Sequence, residues 1–116
     1  MVADGARPLL TQMRRGTLQY CVLALLDEDE RYAFDLVRSL GETDGLVTSE
    51  GTIYPLLSRL RRDGLVDSSW QESSSGPPRR YYRLTDAGRS TLAEFRREWS
   101  HFRDAVDRFV DRKEQP

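Results

Sequence analysis

Hydrophobic residues recur at the spacing of helix turns in two stretches of the N-terminal part of the chain. In residues 9–26 they lie on one side, which predicts a first helix that ends at the acidic run of residues 27–30. Residues 32–40 repeat the pattern in a shorter second helix, and Gly41 follows where helix C-termini favour glycine. Residues 1–8 are polar and contain Gly, Pro and Ala, so we expect a flexible arm there.

A third helix is predicted within the run SEGTIYPLLSRLRRDGLV, residues 49–66. Ser49 is the predicted N-cap, with its hydroxyl accepting from the backbone N–H of Thr52, and Gly64 suits a left-handed C-terminal cap. Pro55 removes a backbone hydrogen bond and crowds a carbonyl, so the helix either has a bent first turn or begins later than Ser49. One side of this helix is apolar and is predicted to be buried: Ile53, Leu56, Leu57 and Leu60.

After the third helix the hydrophobic period changes to two, which predicts strands at residues 65–73 and 79–84. Pro77 and Pro78 are expected to keep the connecting loop from pairing, which leaves a hairpin tip of about five residues. The alternative is a disordered Ser/Gly linker between two domains, but a chain of this length does not supply two cores.

A long last helix is predicted to begin at the N-cap Thr85, with Asp86 in its first turn. Its apolar residues recur alternately three and four positions apart, as in a coiled coil. A helix over about residues 86–112 is roughly 40 Å long, more than a core of this size covers, so part of it is predicted to pack on a second copy of the chain. The alternative is that it folds back on the first helix of its own chain. The predicted dimer interface comprises Leu92, Phe95, Trp99, Phe102, Val106 and Phe109.

The predicted order of elements is helix, helix, helix, strand, strand, helix, which gives a mainly α fold with a small β-hairpin (α+β). Three helices followed by a hairpin form the winged helix-turn-helix arrangement, in which the third helix enters a DNA major groove and the hairpin, or wing, lies along the backbone or minor groove. We therefore predict a winged-helix DNA-binding domain over residues 9–85 and a C-terminal dimerisation helix over residues 86–113.

The composition excludes several classes of protein. With 116 residues, 32% of them charged, and no long apolar run, the chain is predicted to form one globular domain without a membrane-spanning helix. The N-terminus lacks a basic region followed by an apolar stretch, so we expect a cytoplasmic protein. Cys21 is the only cysteine and His101 the only histidine, so we predict no disulfide, metal site, cofactor or catalytic pair.

The formal net charge of -1 argues by itself against a nucleic-acid binder. Its distribution changes the picture, because residues 49–84 hold six arginines against four acidic residues. A modest excess of positive charge therefore lies on the third helix and the hairpin, the two elements that face DNA in a winged helix.

The outer side of the third helix carries side chains suited to DNA, namely Tyr54, Pro55, Ser58, Arg59 and Arg62. Arginine donates two parallel hydrogen bonds to guanine or phosphate, hydroxyls bond phosphates, and proline can touch a thymine methyl. Free N–H groups at residues 49–52, the N-terminus of the helix, favour a phosphate. For this helix alone, an ordinary solvated face is an equally good interpretation.

In the hairpin, Arg79, Arg80 and Tyr81 follow the tip and are predicted to reach phosphate or a narrow minor groove. Solvated charges at a strand end are the alternative. Trp70 is expected to pack across the hairpin against Tyr82. The second helix opens with a tyrosine, from which winged-helix proteins often touch a phosphate. The full predicted DNA-binding set is Tyr32, Ser49, Glu50, Gly51, Thr52, Tyr54, Pro55, Ser58, Arg59, Arg62, Arg79, Arg80 and Tyr81.

Several runs together resemble a known family: RGTLQYCVLALL (15–26), RYAFDLVRSL (31–40), SEGTIYPLLSRLRRDGLV (49–66), RRYYRLTDAGR (79–89) and the aromatic C-terminal helix. Over about residues 10–112 the chain resembles the PadR family of bacterial transcriptional regulators, and it is similar to the shorter subfamily with one C-terminal helix. The resemblance implies a homodimeric repressor that binds an inverted-repeat operator with the third helix and the wing. It also implies that the C-terminal helix packs against the partner's first helix.

A ligand site is a further implication of the resemblance. Some members of the subfamily bind flat aromatic or cationic compounds at the dimer interface beside a tryptophan of the last helix. Trp99 matches that position, with Phe95 and Phe102 one turn away on either side, although plain core packing is the alternative. The sequence departs from the family pattern at Ala33, where glycine is frequent, and at the wing tip, which has no positive charge before Arg79.

We therefore predict a DNA-binding transcriptional regulator, not an enzyme, whose partners are double-stranded DNA, a second copy of the chain and a small planar effector. The alternative is a winged-helix protein-interaction or ligand-sensing module that does not read DNA. The two hypotheses differ in one respect. Only the first predicts selective binding to an inverted repeat, with an affinity that falls steeply as salt rises.

Overall fold

A computed structural model of the protein describes residues 8–111. The helices are α1 (Pro8–Arg14), α2 (Leu18–Glu28), α3 (Ala33–Gly41), α4 (Glu50–Arg62) and α5 (Asp86–Val110). The strands are β1 (Arg31–Tyr32), β2 (Val66–Ser73) and β3 (Gly76–Leu84). The prediction of a mainly α fold with a small antiparallel hairpin and a long last helix is confirmed.

The prediction of one continuous first helix is wrong, because this part of the chain forms two helices, α1 and α2. The division lies at Gly16 and Thr17. Glycine is a weak helix former, and the Thr17 hydroxyl lies 3.4 Å from the carbonyl oxygens of Met13 and Arg14, where it competes for groups that a continuous helix uses. Pro8 begins α1, and the rest of the predicted arm, residues 1–7, lies outside the described part of the chain.

The strand β1 was not predicted, since Tyr32 was expected to open the second helix. Instead Tyr32 is extended and lies opposite Tyr81 of β3, which gives the sheet the order β1-β3-β2. A strand of two residues is too short to show an alternating pattern. It is fixed by tertiary contacts, among them the hydrogen bond that the Arg31 side chain donates to the Leu25 carbonyl at 3.2 Å. This pairing brings Tyr32 to the base of the wing.

The hairpin tip is shorter than predicted, because β3 begins at Gly76 and includes Pro77 and Pro78. Neither proline has a partner on β2 in the register, so the expectation that they do not pair is confirmed, whereas the expected tip of about five residues is too long. The register shifts between Gln71 and Ser73, which leaves one extra residue in β3 at the prolines. Such a bulge tolerates residues that lack a backbone N–H.

Two predicted helix caps are confirmed. Gly64 ends α4 with a φ of 80°, and the N–H of Leu65 donates to the carbonyl of Leu60 at 2.9 Å, which is the pattern of a left-handed cap. At the start of α5, the Thr85 hydroxyl accepts from the N–H of Gly88 at 3.0 Å. That hydroxyl also donates to the Gly64 carbonyl at 2.7 Å, so one side chain joins the end of α4 to the start of α5.

The N-terminus of α4 differs in detail from the prediction. Ser49 is the N-cap residue, but its hydroxyl does not accept from the N–H of Thr52, which donates instead to the Ser49 carbonyl at 3.1 Å. The two hydroxyls face each other at 3.4 Å. The helix begins at Glu50, so Pro55 lies inside it and the later start is excluded.

The core lies between α2, α3, α4, the base of the sheet and the first turns of α5. Its fully buried side chains are Val22, Leu23, Leu36, Ile53, Leu57, Leu60, Val66 and Leu92. Gly88 permits the close approach of α5, because a Cβ there would overlap the carbonyl oxygen of Leu65. Beyond Phe95, α5 extends away from this core. Within residues 8–111, no helix combines the length and the hydropathy that crossing a bilayer requires.

Candidate nucleic-acid interface

The two sides of α4 have opposite environments. Its four predicted core residues are buried, whereas every residue of the predicted outer side is exposed. Tyr54, 49% exposed, lies beside the acid Glu50 and above the buried Tyr82. Partial burial, then the nearby Glu50 and Tyr82, raise the pKa of the Tyr54 phenol above its usual value. The phenol therefore stays protonated near neutral pH and is available as a hydrogen-bond donor.

A groove of about 350 Å³, here called the wing groove, separates α4 from the wing. Five of the predicted DNA-binding residues meet in it: Tyr32, Tyr54, Ser58, Arg79 and Arg80. They come from β1, α4 and β3, so only the tertiary fold brings them together. Trp70, Pro78 and Tyr82 complete its walls.

Both wing arginines rest on aromatic rings. The guanidinium of Arg79 lies 4.6 Å from the ring centre of Tyr32, and that of Arg80 lies 5.5 Å from the ring centre of Trp70. Such contacts orient a cation, and in Arg80 the Nε–H is buried without a hydrogen-bond partner among the described residues. Tyr81, the remaining predicted wing residue, packs edge-on against Tyr32 and does not line the groove.

The role of Trp70 was missed, because it was expected to pack on Tyr82. The register places Trp70 directly opposite Arg80 and leaves Ser68 opposite Tyr82, so that pairing is wrong by two residues. Trp70 is 67% exposed, which is unusual for a residue that only packs a hairpin. Alternation alone does not determine which residues face each other across a hairpin, and the bulge at the prolines sets this register.

A second groove of about 240 Å³, here called the helix notch, lies on the other side of α4. From α4 it is lined by Thr52, Pro55, Leu56 and Arg59. From the α1–α2 region and the loop before α4 it is lined by Thr11, Arg14, Arg15, Leu18, Gln19 and Thr48. Arg14 is buried and donates to the Gly45 carbonyl at 3.0 Å. The notch thus adds Arg15 and Gln19, which the sequence did not mark, to the surroundings of the predicted helix face.

The remaining predicted residues lie on α4 or at its N-terminus and line neither groove: Ser49, Glu50, Gly51 and Arg62. All four are exposed. The carboxylate of Glu50 shares the helix N-terminus with the free N–H groups expected to bind a phosphate. A carboxylate accepts from the amino group of cytosine and repels a phosphate, so Glu50 is suited to a base edge.

Comparison with known proteins identifies the family. The model of the Transcriptional regulator PadR-like family matches residues 22–94. The chain belongs to the PadR-like family of transcriptional regulators. It is 36% identical over 88 residues to the Transcriptional regulator Rv3488 of Mycobacterium tuberculosis, across 76% of this chain and 80% of that protein.

Solved PadR structures have the same fold. A PadR-like transcriptional regulator from Bacillus cereus is 34% identical, with a TM-score of 0.78 over 88% of this chain and 99% of that one. A PadR family transcriptional regulator from Eggerthella lenta is 35% identical, with a TM-score of 0.80 over 95% and 96% of the two chains. The predicted family membership and winged-helix arrangement are therefore confirmed.

The PadR family match contains α4 and the whole wing and ends within α5. The aromatic residues of α5 form a ladder that extends beyond it. Phe95 stacks on Tyr20 of α2 at 4.1 Å, Trp99 lies 5.6 Å from Phe95, and Phe102 lies 6.4 Å from Trp99, between ring centres. A groove of about 670 Å³, here called the seam cleft, is lined by these three α5 rings together with Met13, Gly16, Thr17, Glu98, His101 and Ala105.

Two other features bear on the chemistry of this PadR protein. The described residues contain no cluster of His, Cys, Asp and Glu side chains that could hold a metal ion. Cys21 is half-buried, and burial raises the pKa of its thiol above the usual value. A raised pKa disfavours the reactive thiolate, which fits the interpretation of Cys21 as a small packing residue.

Proposed function

We propose that the protein is a homodimeric, DNA-binding transcriptional repressor of an inverted-repeat operator. The observation that carries the proposal is the wing groove, in which Tyr54 and Ser58 of α4 face Arg79 and Arg80 of the wing across one continuous surface. Together with membership of a family of transcriptional regulators, this surface favours DNA over a protein partner. A regulator of this kind performs no catalysis.

In the proposed complex α4 lies in the major groove. Arg62 donates to a guanine, Glu50 accepts from a cytosine amino group, and the hydroxyls of Tyr54 and Ser58 donate to acceptor atoms on base edges. The wing arginines, oriented by their aromatic neighbours, contact the adjacent backbone or minor groove. The local positive charge thus acts at the contact surface, although the whole chain has a formal net charge of -1.

The dimer is proposed to form through α5. From Trp99 onward its apolar side is exposed in the single chain, with Phe102 60% and Phe109 73% exposed. Met13 of α1 adds an exposed apolar side chain on the wall of the seam cleft. A second copy that covers this stripe removes it from water, which is the main favourable contribution to association. Leu92, which was predicted in this interface, is buried in the core of its own chain, so the proposed interface runs from Phe95 to Phe109.

A small planar effector is proposed to bind in the seam cleft of the dimer. The ladder of Phe95, Trp99 and Phe102 offers flat apolar surfaces on which an aromatic ring can stack. Glu98 on the same wall supplies a carboxylate that suits a cationic ring. Because the cleft is formed by α5 and the α1–α2 junction, a bound ligand changes the geometry of the dimer and thereby the distance between the two recognition helices.

Footprinting on the DNA upstream of the protein's own gene tests the proposed function. We expect protection of two half-sites related by inverted repetition, with centres about 34 Å or a multiple of it apart, because two-fold related helices enter successive major grooves. Addition of planar aromatic cations should remove the protection. The same chain binding equally to operator and scrambled duplex, or to neither, would support a winged-helix interaction module in place of a repressor.

A further inference from the structure

The exposed surface of α4 lies between two grooves. Tyr54 and Ser58 border the wing groove, whereas Thr52 and Arg59 border the helix notch. At about 100° per residue, these two pairs fall on opposite flanks of the helix, and the ridge between them carries Gly51, Pro55 and Arg62. The recognition surface is therefore a ridge flanked on each side by a depression.

The width of the ridge can be compared with the width of the DNA major groove. A helix with its side chains is about 10–12 Å wide, close to the roughly 12 Å width of the major groove. A ridge that faces the base edges therefore has one sugar–phosphate strand along each flank. If the wing groove faces one strand, the helix notch faces the other.

The charges in the helix notch are suited to a phosphate. Three arginines line it, and no acidic residue does so within the described part of the chain. Arg14 is bound to the Gly45 carbonyl, but the exposed Arg15 and Arg59 make no side-chain hydrogen bond or ion pair with any residue of 8–111. Thr52 accepts from the Ser49 hydroxyl at 3.4 Å, so its own hydroxyl proton is free for an acceptor.

We infer that the helix notch binds the backbone phosphates of the DNA strand opposite the one that the wing groove binds, with Arg15 and Arg59 as the charged donors. The inference rests on the proposed function and extends its interface to the α1–α2 junction. It also gives a role to the break at Gly16, since the end of α1 places Arg15 on the wall of the notch. DNA is thus clamped from both sides of α4 by two arginine pairs from different parts of the chain.

Arg15→Gln tests the notch, with Arg97→Gln as the matched control. Arg97 is exposed on α5, away from both grooves, and its replacement removes the same charge. For Arg15→Gln we expect an affinity about tenfold lower for operator and for scrambled duplex alike, because a phosphate contact carries no sequence information. The plot of log K against log salt should become less steep by about 0.9 for each phosphate contact that is lost. Each protomer of the dimer loses one such contact. Arg97→Gln should change neither quantity, and Arg15→Lys should restore most of the slope.

Phosphate ethylation interference identifies the strand. In the wild type we expect interference at phosphates of both strands in each half-site. Arg15→Gln should lose it on one strand, and Arg80→Gln should lose it on the other. Because the variant arginines are exposed or rest on a ring at the surface, circular dichroism should show both variants folded.

Three outcomes separate the inference from the function on which it rests. If the wild type shows no preference for operator, the proposed function fails. If the wild type prefers operator but Arg15→Gln keeps the slope and the ethylation pattern of Arg97→Gln, the notch inference is wrong and the proposed function stands. If inorganic phosphate at constant ionic strength binds the wild type and not Arg15→Gln, yet leaves the affinity of the wild type for DNA unchanged, the notch is an ion site that DNA does not enter, which also overturns the inference.

Discussion

The inner side of α4 and the apolar stripe of α5 have the same kind of sequence pattern and opposite environments. Leu57 and Leu60 of α4 are completely buried by α2, α3 and the sheet. Of the apolar stripe of α5 only Leu92 shares that environment, at 2% exposure, whereas Phe109 is 73% exposed. Apolar periodicity therefore identifies the side of a helix that favours burial. Whether the core of the same chain can bury that side depends on how far the helix extends beyond the core.

The comparison also separates two kinds of surface. Around α4 most exposed residues are polar or small and lie beside two grooves, which suits a polar partner. One side of the C-terminal half of α5 exposes aromatic and aliphatic residues, which suits a second copy of the chain. DNA binding and dimerisation are accordingly expected to respond to different substitutions.

The largest expected effect is on the dimer. Trp99→Asp places a carboxylate in the apolar seam, which we expect to cost at least about 4 kcal/mol, or roughly a thousandfold in the dimer dissociation constant. Light scattering at micromolar concentration should show a monomer. Arg97→Asp, on the opposite side of α5, should remain dimeric. A Trp99→Asp protein that is still dimeric would mean that the stripe is covered within its own chain.

Truncation of equivalent apolar side chains should separate the two regions. In the monomeric Trp99→Asp background, Leu57→Ala should lower the free energy of unfolding by about 2–5 kcal/mol, because it leaves a cavity in a closed core. In the same background Phe109→Ala should leave the free energy of unfolding unchanged, because Phe109 is exposed in the monomer and its truncation creates no cavity. Urea denaturation measures both. Equal losses would show that α5 is part of the protomer core along its whole length.

Operator selectivity should depend on the exposed side of α4 alone. Arg62→Ala or Tyr54→Ala should reduce the preference for operator over scrambled duplex by about 1–3 kcal/mol while the dimer persists. Arg61→Ala, which removes a neighbouring exposed arginine outside the predicted DNA-binding set, should leave the preference unchanged. Fluorescence anisotropy with the two duplexes gives the ratio. Full selectivity in both Tyr54→Ala and Arg62→Ala would make the recognition-helix assignment wrong.

The smallest expected effect is at Thr85, whose hydroxyl connects the end of α4 to the start of α5. Thr85→Ala removes the hydroxyl that accepts from Gly88 and donates to Gly64, and we expect a loss of about 1–2 kcal/mol. Thr85→Ser keeps the hydroxyl and should lose much less in the same denaturation experiment. If Ser and Ala lose the same amount, the stabilisation comes from the threonine methyl and not from the two hydrogen bonds.

Features that are decided locally were predictable from the sequence. Gly64 and Thr85 were assigned correctly as caps, because capping requires particular residue types at particular positions. The buried side of α4 was also correct, because a period of 3.6 residues is visible within one element. The residues predicted for the outer side of α4 are all exposed, and their contacts with DNA stay a prediction.

Features that depend on contacts distant in sequence were missed. The strand β1 exists only because β3 offers Tyr81 and Tyr82 as partners, and two residues give no periodic signal. Trp70 was assigned the wrong partner because the bulge at the prolines sets the register. Arg15 was missed for a different reason: Gly16 and Thr17 are a local signal for a helix break, but the sequence pattern was interpreted as one continuous helix, and only the fold places Arg15 beside α4. The positions of these residues in the grooves are set by the tertiary structure, which the local sequence pattern does not show.

Titration of labelled operator with the wild-type protein, followed by fluorescence anisotropy, tests the central claim most directly. Three duplexes are compared: the operator, a scrambled sequence, and an operator with about five extra base pairs between half-sites, which turns one half-site to the opposite side of the helix. We expect two protomers per operator, with an affinity at least about a thousandfold above that for the scrambled duplex. The phase-shifted duplex should lose most of that preference. Equal affinity for all three duplexes would contradict the assignment of α4 and the wing to operator recognition by a two-fold dimer.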